Sequence, residues 1–326
     1  MHRREFLLGS AAAAWPLAAH AQQREDVRRI GFLIGSPADD AEGQARLAAF
    51  RQGLAALGWI VGRSLEMDYR AAGRDPERYR DYARELVALA PDVLVAGGAS
   101  ALAALQQATI RLPIVFANAT DPAGGGYLAR TARPARNVTG FLNFEPRFGW
   151  KWLELLKQLA PSVMRVAVLW GPTATAVGPM MEALRAVVPR FGVELTGLEE
   201  RDAGEIERGI ATFVHGPNHG LIVASQFDRS DREQIIALAA SYRMPTVYAF
   251  RRYVAEGGLI SYGTDQVEPY RRAAGYVDRI LQGDRPVDLP VQAPVKYDIA
   301  LNMKTARALE LAVPDIVRQR ADEVIE

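Results

Sequence analysis

Hydrophobic and polar positions along this chain follow two rhythms that take turns. "RRIGFLIGSP" holds a continuous apolar run that stops at Gly35-Ser36-Pro37. An unbroken run of this length suits a strand buried on both faces of a parallel sheet. A helical rhythm follows, with Leu47, Phe50, Leu54 and Leu57 at spacings of three and four until Gly58. "SLEMDYR" predicts a second strand. Tyr79, Tyr82, Leu86 and Leu89 predict a second helix, opened near Pro76 where proline is tolerated. "DVLVAGG" is the next strand, a helix starts at about Ser100, and "LPIVFANATDP" is one strand more. Strands alternating with helices predict an α/β, doubly wound parallel sheet.

The same order then repeats. "MRVAVLWGP" stands where "RRIGFLIGS" stood, "NHGLIVASQ" matches "APDVLVAGG", and "MPTVYAF" matches "LPIVFAN". Two similar α/β lobes are therefore expected, not one long sheet. The join lies near "NVTGFLNFEP", and "GGLISYGTD" reads as a second crossing. After it, Tyr270, Ala273, Val277 and Leu281 form one face of an amphipathic helix expected to return to the first lobe. The boundaries that follow are a first lobe of 22–140 plus about 264–290 and a second of 141–263. The tail, 291–326, is not assigned to either lobe.

Residues 1–21 break both rhythms. Arg3-Arg4 precede an apolar stretch from Phe6 to Ala19 that ends in Ala19-His20-Ala21. The stretch is roughly fourteen residues, short of the about twenty that span a membrane. A charged start, an apolar middle and a small-residue end mark a cleaved export signal. The arginine pair favours the twin-arginine route and a periplasmic destination. No later segment reads as membrane-embedded, and a chain without cysteine carries no lipid anchor and no disulfide.

Charge narrows the partners. The chain of 326 residues has 39 basic and 38 acidic side chains. That balance leaves no basic footprint for nucleic acid. Chemistry is equally narrowed. No Gly-x-Ser-x-Gly elbow occurs, and Gly124-Gly125-Gly126 lacks the Lys-Ser/Thr pair of a phosphate loop. His215 and His219 flank a turn at the wrong end of a strand for a metal site. The sequence predicts no catalytic residues, no metal site and no cofactor.

In open parallel sheets ligands sit beyond the carboxyl ends of the strands. Applied to both lobes, this rule selects Ser36, Gly98, Ala99, Ser100, Ala119, Thr120 and Asp121 from the first. It selects Trp170, Gln226, Asp228 and Phe250 from the second, and Tyr262 from the later crossing. Gly97-Gly98 before a helix start, with Ser100 as its cap, suits a carboxylate. Asp121 and Asp228 are each open to two readings, as helix caps or as partners of an ammonium group. Trp170, Phe227, Phe250 and Tyr262 converge as an apolar wall.

Together "RREFLLGSAAAAWPLAAHAQQ", "IGFLIGSP", "AFRQGLAALGW", "LPIVFANATDP", "NVTGF", "GGLISYGTD" and "QRADEVIE" resemble the substrate-binding proteins of ABC transporters, in the group with tryptophan- and tyrosine-binding members. The resemblance implies the type I periplasmic-binding fold, with three hinge crossovers that close on a small-molecule ligand. It also implies delivery to a membrane permease, by a protein expected here to be a monomer. Ser100, Thr120, Gln226 and Asp228 stand where that family places cleft residues. The family's asparagine–proline pair is replaced here by Trp170-Gly171-Pro172, which puts an indole in place of a polar contact. An exported enzyme on the same two lobes is the alternative. A sugar-type transcription regulator would need DNA-binding helices where the signal stands.

Overall fold

The computed structural model describes residues 27–73, 75–119, 137–145, 148–171 and 177–326. The expected export signal, Thr120, Asp121 and Pro172 lie outside the described residues.

The first sheet is built from β1 (Arg28–Ile34), β2 (Leu65–Ala71), β3 (Val93–Gly97), β4 (Ile114–Ala119) and β5 (Val138–Leu142). They pair in the order β2-β1-β3-β4-β5, all parallel. Helices α1 (Ala41–Ala56), α2 (Pro76–Ala88) and α3 (Ala99–Ala108) connect them. Period-two alternation splits the apolar runs between two cores. Ile30, Phe32 and Val95 meet Phe50 and Leu54 of α1 on one face. Leu33, Leu94 and Phe116 meet Leu86 and Leu102 on the other.

The helix starts are set by local chemistry. Asp40 caps α1 by accepting from the Gly43 amide at 2.8 Å. Asp75 caps α2 the same way, with Pro76 in the first turn. The start of α3 differs from expectation. Its cap is Gly98, at φ 97, with no side-chain hydrogen bond, and Ser100 lies inside the first turn. Only glycine reaches that backbone conformation cheaply, so the chain turns there and the helix begins before Ser100.

The second sheet contains β6 (Arg165–Trp170), β7 (Glu194–Glu199), β8 (His219–Val223), β9 (Thr246–Tyr248) and β10 (Ile260–Gly263). Around them stand α4 (Gly149–Leu159), α5 (Val177–Phe191), α6 (Ala203–Phe213), α7 (Arg229–Ser241) and the short α8 (Arg251–Ala255). Helix α9 (Glu268–Leu281) crosses back to the first lobe and lies along α1. Its buried face includes Tyr270, Ala273, Val277 and Leu281. The approach is close: a Cβ on Gly53 would stand 2.7 Å from that of Ala274.

The tail, unassigned from sequence, completes the second sheet. After a 3-10 turn at Pro286–Asp288, β11 (Asp298–Asn302) pairs antiparallel with β10. Helices α10 (Met303–Ala308) and α11 (Asp315–Arg320) lead to β12 (Glu323–Ile325), which pairs with β11. The full order is β12-β11-β10-β9-β8-β6-β7.

The chain thus passes between lobes three times, after β5, after β10 and before β11. The passages are tied to one another. Thr264 Oγ1 donates to the Asn143 carbonyl at 2.8 Å, and the Leu142 amide donates to the Gln292 carbonyl at 2.9 Å. Thr139 and Gly140, expected at the first crossing, are inside β5. Gly140 has φ 150, and a Cβ there would fall 2.1 Å from the Phe116 carbonyl oxygen. This glycine therefore lets β5 approach β4 and keeps Val138–Leu142 in the first sheet.

Candidate functional site

The carboxyl ends of both sheets face one cavity of about 730 Å³. Of the residues selected from sequence, Ser36, Gly98, Ala99, Ser100, Gln226, Asp228 and Phe250 line it. Ala119, Trp170 and Tyr262 do not. Ala119 is fully buried in the core beneath the sheet.

Trp170 is turned away by strand parity. Val166, Val168 and Trp170 share one face of β6 and pack into the core beside α4 and α5. The indole lies over Gly197 of β7, whose missing side chain leaves the space: a Cβ there would meet the ring at 2.6 Å. Tyr262 sits in another aromatic group, stacked on Tyr297 at 5.3 Å. The apolar wall of the cavity is instead formed by Phe227 and Phe250 from the second lobe and by Phe144 and Trp152 beside the first crossing.

The first-lobe wall is polar and glycine-rich. Tyr79 reaches it from α2, its hydroxyl above Gly35, where a Cβ would stand only 2.1 Å away. Burial pushes the Tyr79 phenol up to about 12, and the neighbouring Ser100 hydroxyl opposes that rise. Ser100, displaced from its expected cap, lines the same wall as Tyr79. Tyr79 escaped sequence reading because it sits among the apolar positions of α2.

Arg46 was also missed. It is 6% exposed, on the buried face of α1 with Leu47 and Phe50. Its Nη1 donates to Ser36 Oγ at 3.3 Å, while Nε has no partner. Its Nη2 donates to Glu42 at 3.3 Å; a cation on a helix face that is otherwise buried is rare, and that position was the available signal.

Asn118 marks the end of β4. It has φ 57, and the β4–β5 register shifts between Ala117 and Ala119. Such a bulge re-aims a side chain at a sheet edge. The Asn118 Nδ2 donates to the Gln266 carbonyl at 2.7 Å, which ties β4 to the second crossing. Its Oδ1 has no partner, and neither have Asn143 Oδ1 and Ser225 Oγ. All three residues line the cavity, as Arg46 does. Buried polar atoms are ordinarily satisfied, so these groups at the cavity wall are available to a bound solute.

Asp228 takes the cap reading. It caps α7, accepting from the Asp231 amide at 3.2 Å and from Ser230 Oγ at 3.0 Å, and it also lines the cavity. Among the described residues no group of histidine, aspartate and glutamate side chains is placed to hold a metal, and no helix is long and apolar enough to cross a membrane.

Comparison with known proteins agrees with this arrangement. A tyrosine-binding protein of Clostridioides difficile (strain R20291) is 22% identical over 271 residues, covering 80% of this chain and 75% of that protein. A conserved domain protein of Vibrio cholerae superposes with a TM-score of 0.81 at 27% identity, over 91% of this chain and 99% of the other. An ABC domain from Streptococcus pneumonia in complex with L-Trp gives the same TM-score at 23% identity and the same coverage. The architecture is that of the type I periplasmic-binding proteins. The sequence pattern of the family described as ABC transporter substrate binding protein matches residues 38–325, and the chain belongs to that family.

Proposed function

We propose that this protein is exported, captures a small carboxylate with a flat or apolar body in the interlobe cavity, and delivers it to the permease of an ABC importer. The solute class is an aromatic amino acid or an aromatic acid. The observation that carries the reading is the start of α3. Gly98 caps it without a side chain, at the cavity wall, and a helix start left free in this way favours an anion. Phe144, Phe227 and Phe250 supply an apolar surface for the body. The tyrosine-binding relative and the L-Trp complex support the same class.

The protein acts by binding, without turnover. Thermal shift of the mature protein with L-tryptophan, L-tyrosine, and aromatic acids without an amine tests this. Solute at a hundred times its Kd stabilises the folded state by about 2.7 kcal/mol. No shift with any of them, or conversion of a bound solute to product, sinks the reading. Asp228→Asn separates the two solute classes, because asparagine keeps the helix cap and removes the charge. Loss of amino-acid binding alone assigns the ammonium to Asp228.

Residues 1–21 are proposed to direct export by the twin-arginine route. Arg3-Arg4→Lys-Lys then leaves the protein in the cytoplasm, whereas unchanged export points to the general secretory route.

A further inference from the structure

An ion network crosses the mouth of the cavity from one lobe to the other. Arg252 of α8 places Nη1 3.3 Å from Glu42 Oε1 and 3.5 Å from Asp40 Oδ1, both at the start of α1 in the facing lobe. Within its own lobe, Arg252 Nε donates to Glu256 Oε1 at 2.9 Å. Glu256 also receives Nε and Nη2 of Arg232, at 2.9 and 3.0 Å. On the other side Glu42 receives Arg46 Nη2 at 3.3 Å. The sign of charge alternates along Arg232, Glu256, Arg252, Glu42 and Arg46.

Two features separate this contact from an ordinary surface pair. Each half is ordered inside its own lobe: Glu256 holds Arg252, and the cap bond to Gly43 holds Asp40. The side-chain entropy that usually cancels an exposed ion pair is therefore largely lost before the lobes meet. The groups are also only 27%, 24% and 35% exposed for Arg252, Asp40 and Glu42, so salt screens them less than a fully exposed pair.

We propose that Arg252 is a latch that sets the fraction of molecules with closed lobes, through Asp40 and Glu42. Apparent affinity scales with the competent fraction, so the latch sets affinity without choosing the solute. Arg252 is in this sense a positioning residue. The part of its test that uses solute rests on the function proposed above. The part that uses the protein alone does not.

Small-angle scattering of the solute-free protein at about 50 and about 500 mM NaCl tests the latch, because the added salt shortens the screening length. The wild-type radius of gyration is expected to rise with salt. Arg252→Gln is expected to start at the larger value and not respond. Arg252→Lys keeps the charge and recovers the salt response, which a misfolded variant does not. Asp40→Asn with Glu42→Gln reproduces Arg252→Gln, and combining all three adds nothing further. Equal radii for wild type and Arg252→Gln at both salts overturn the proposal.

Calorimetry with L-tryptophan and L-tyrosine adds a second arm. Arg252→Gln weakens both by one common factor, roughly two- to thirtyfold at low salt. Clearly different factors make Arg252 a solute contact and overturn the latch. Wild type that binds neither solute sinks the preceding functional reading, while the scattering still decides the latch.

Discussion

Tyr262 stacks on Tyr297, with ring centroids 5.3 Å apart and planes inclined by 19°. Phe148 also stacks on Tyr297, at 4.8 Å. Each ring stands where the chain passes between lobes: Phe148 after the first passage, Tyr262 before the second, Tyr297 at the end of the third. The Trp152 indole donates to the Tyr262 carbonyl at 2.7 Å and anchors the group to the second lobe. The aromatic ring expected to wall the ligand instead holds the three passages together.

Tyr297→Ala removes both stacks. Each aromatic pair contributes about 0.5–1.5 kcal/mol beyond the area it buries, so a loss of at least about 1–3 kcal/mol is expected. Urea unfolding measures it. A change within a few tenths of a kcal/mol would mean the stack is incidental.

Trp170→Ala is expected to lower stability and leave solute affinity unchanged within about twofold. The indole fills the slot over Gly197 and stands outside the cavity. Removing a partly buried ring of this size costs about 1–3 kcal/mol, less than the about 3–5 typical of a fully buried one. Calorimetry beside thermal unfolding separates the two effects. A tenfold loss of affinity at unchanged stability would return the indole to the ligand wall.

Gly140→Ala places a methyl group against the Phe116 carbonyl at a backbone angle that alanine resists. The cost is expected well above about 1 kcal/mol, because clash and conformation act together. Hydrogen exchange locates the damage: the amides of β4 and β5 lose protection first. Uniform loss across both sheets would contradict the local account.

Glu256 predicts an acid response. Burial by itself pushes its carboxyl up, but the hydrogen bonds and charges of Arg232 and Arg252 outweigh burial and hold it below its usual value. A carboxyl with a depressed folded value stabilises above its unfolded value, about 4.3, and loses that contribution as pH falls through the folded one. Wild type therefore loses stability more steeply than Glu256→Gln between about pH 5 and pH 3. Parallel curves from denaturant titrations at each pH would remove Glu256 from the acid response.

The order of strands and helices was legible in the sequence because each apolar run carries its own period. Ile30–Ile34 and Val93–Ala96 are apolar at nearly every position, and Leu47, Phe50 and Leu54 recur at helical spacing. The rule that ligands sit at strand ends then found Ser36, Gly98, Ser100, Gln226, Asp228 and Phe250 at one cavity. These readings depend on neighbours in the chain, and local chemistry decides them. The rest depended on contacts between distant segments. Strand parity and an empty Gly197 turned Trp170 aside, and stacking on Tyr297 took Tyr262. Antiparallel pairing of β11 with β10 assigned the tail, which carries no long periodic run of its own. Packing of α1 against the sheet brought Arg46 to the cavity, and the facing of two lobes set Arg252 opposite Asp40 and Glu42. No periodicity in the chain encodes such pairs, because their partners lie some two hundred residues apart and meet only when both lobes are folded.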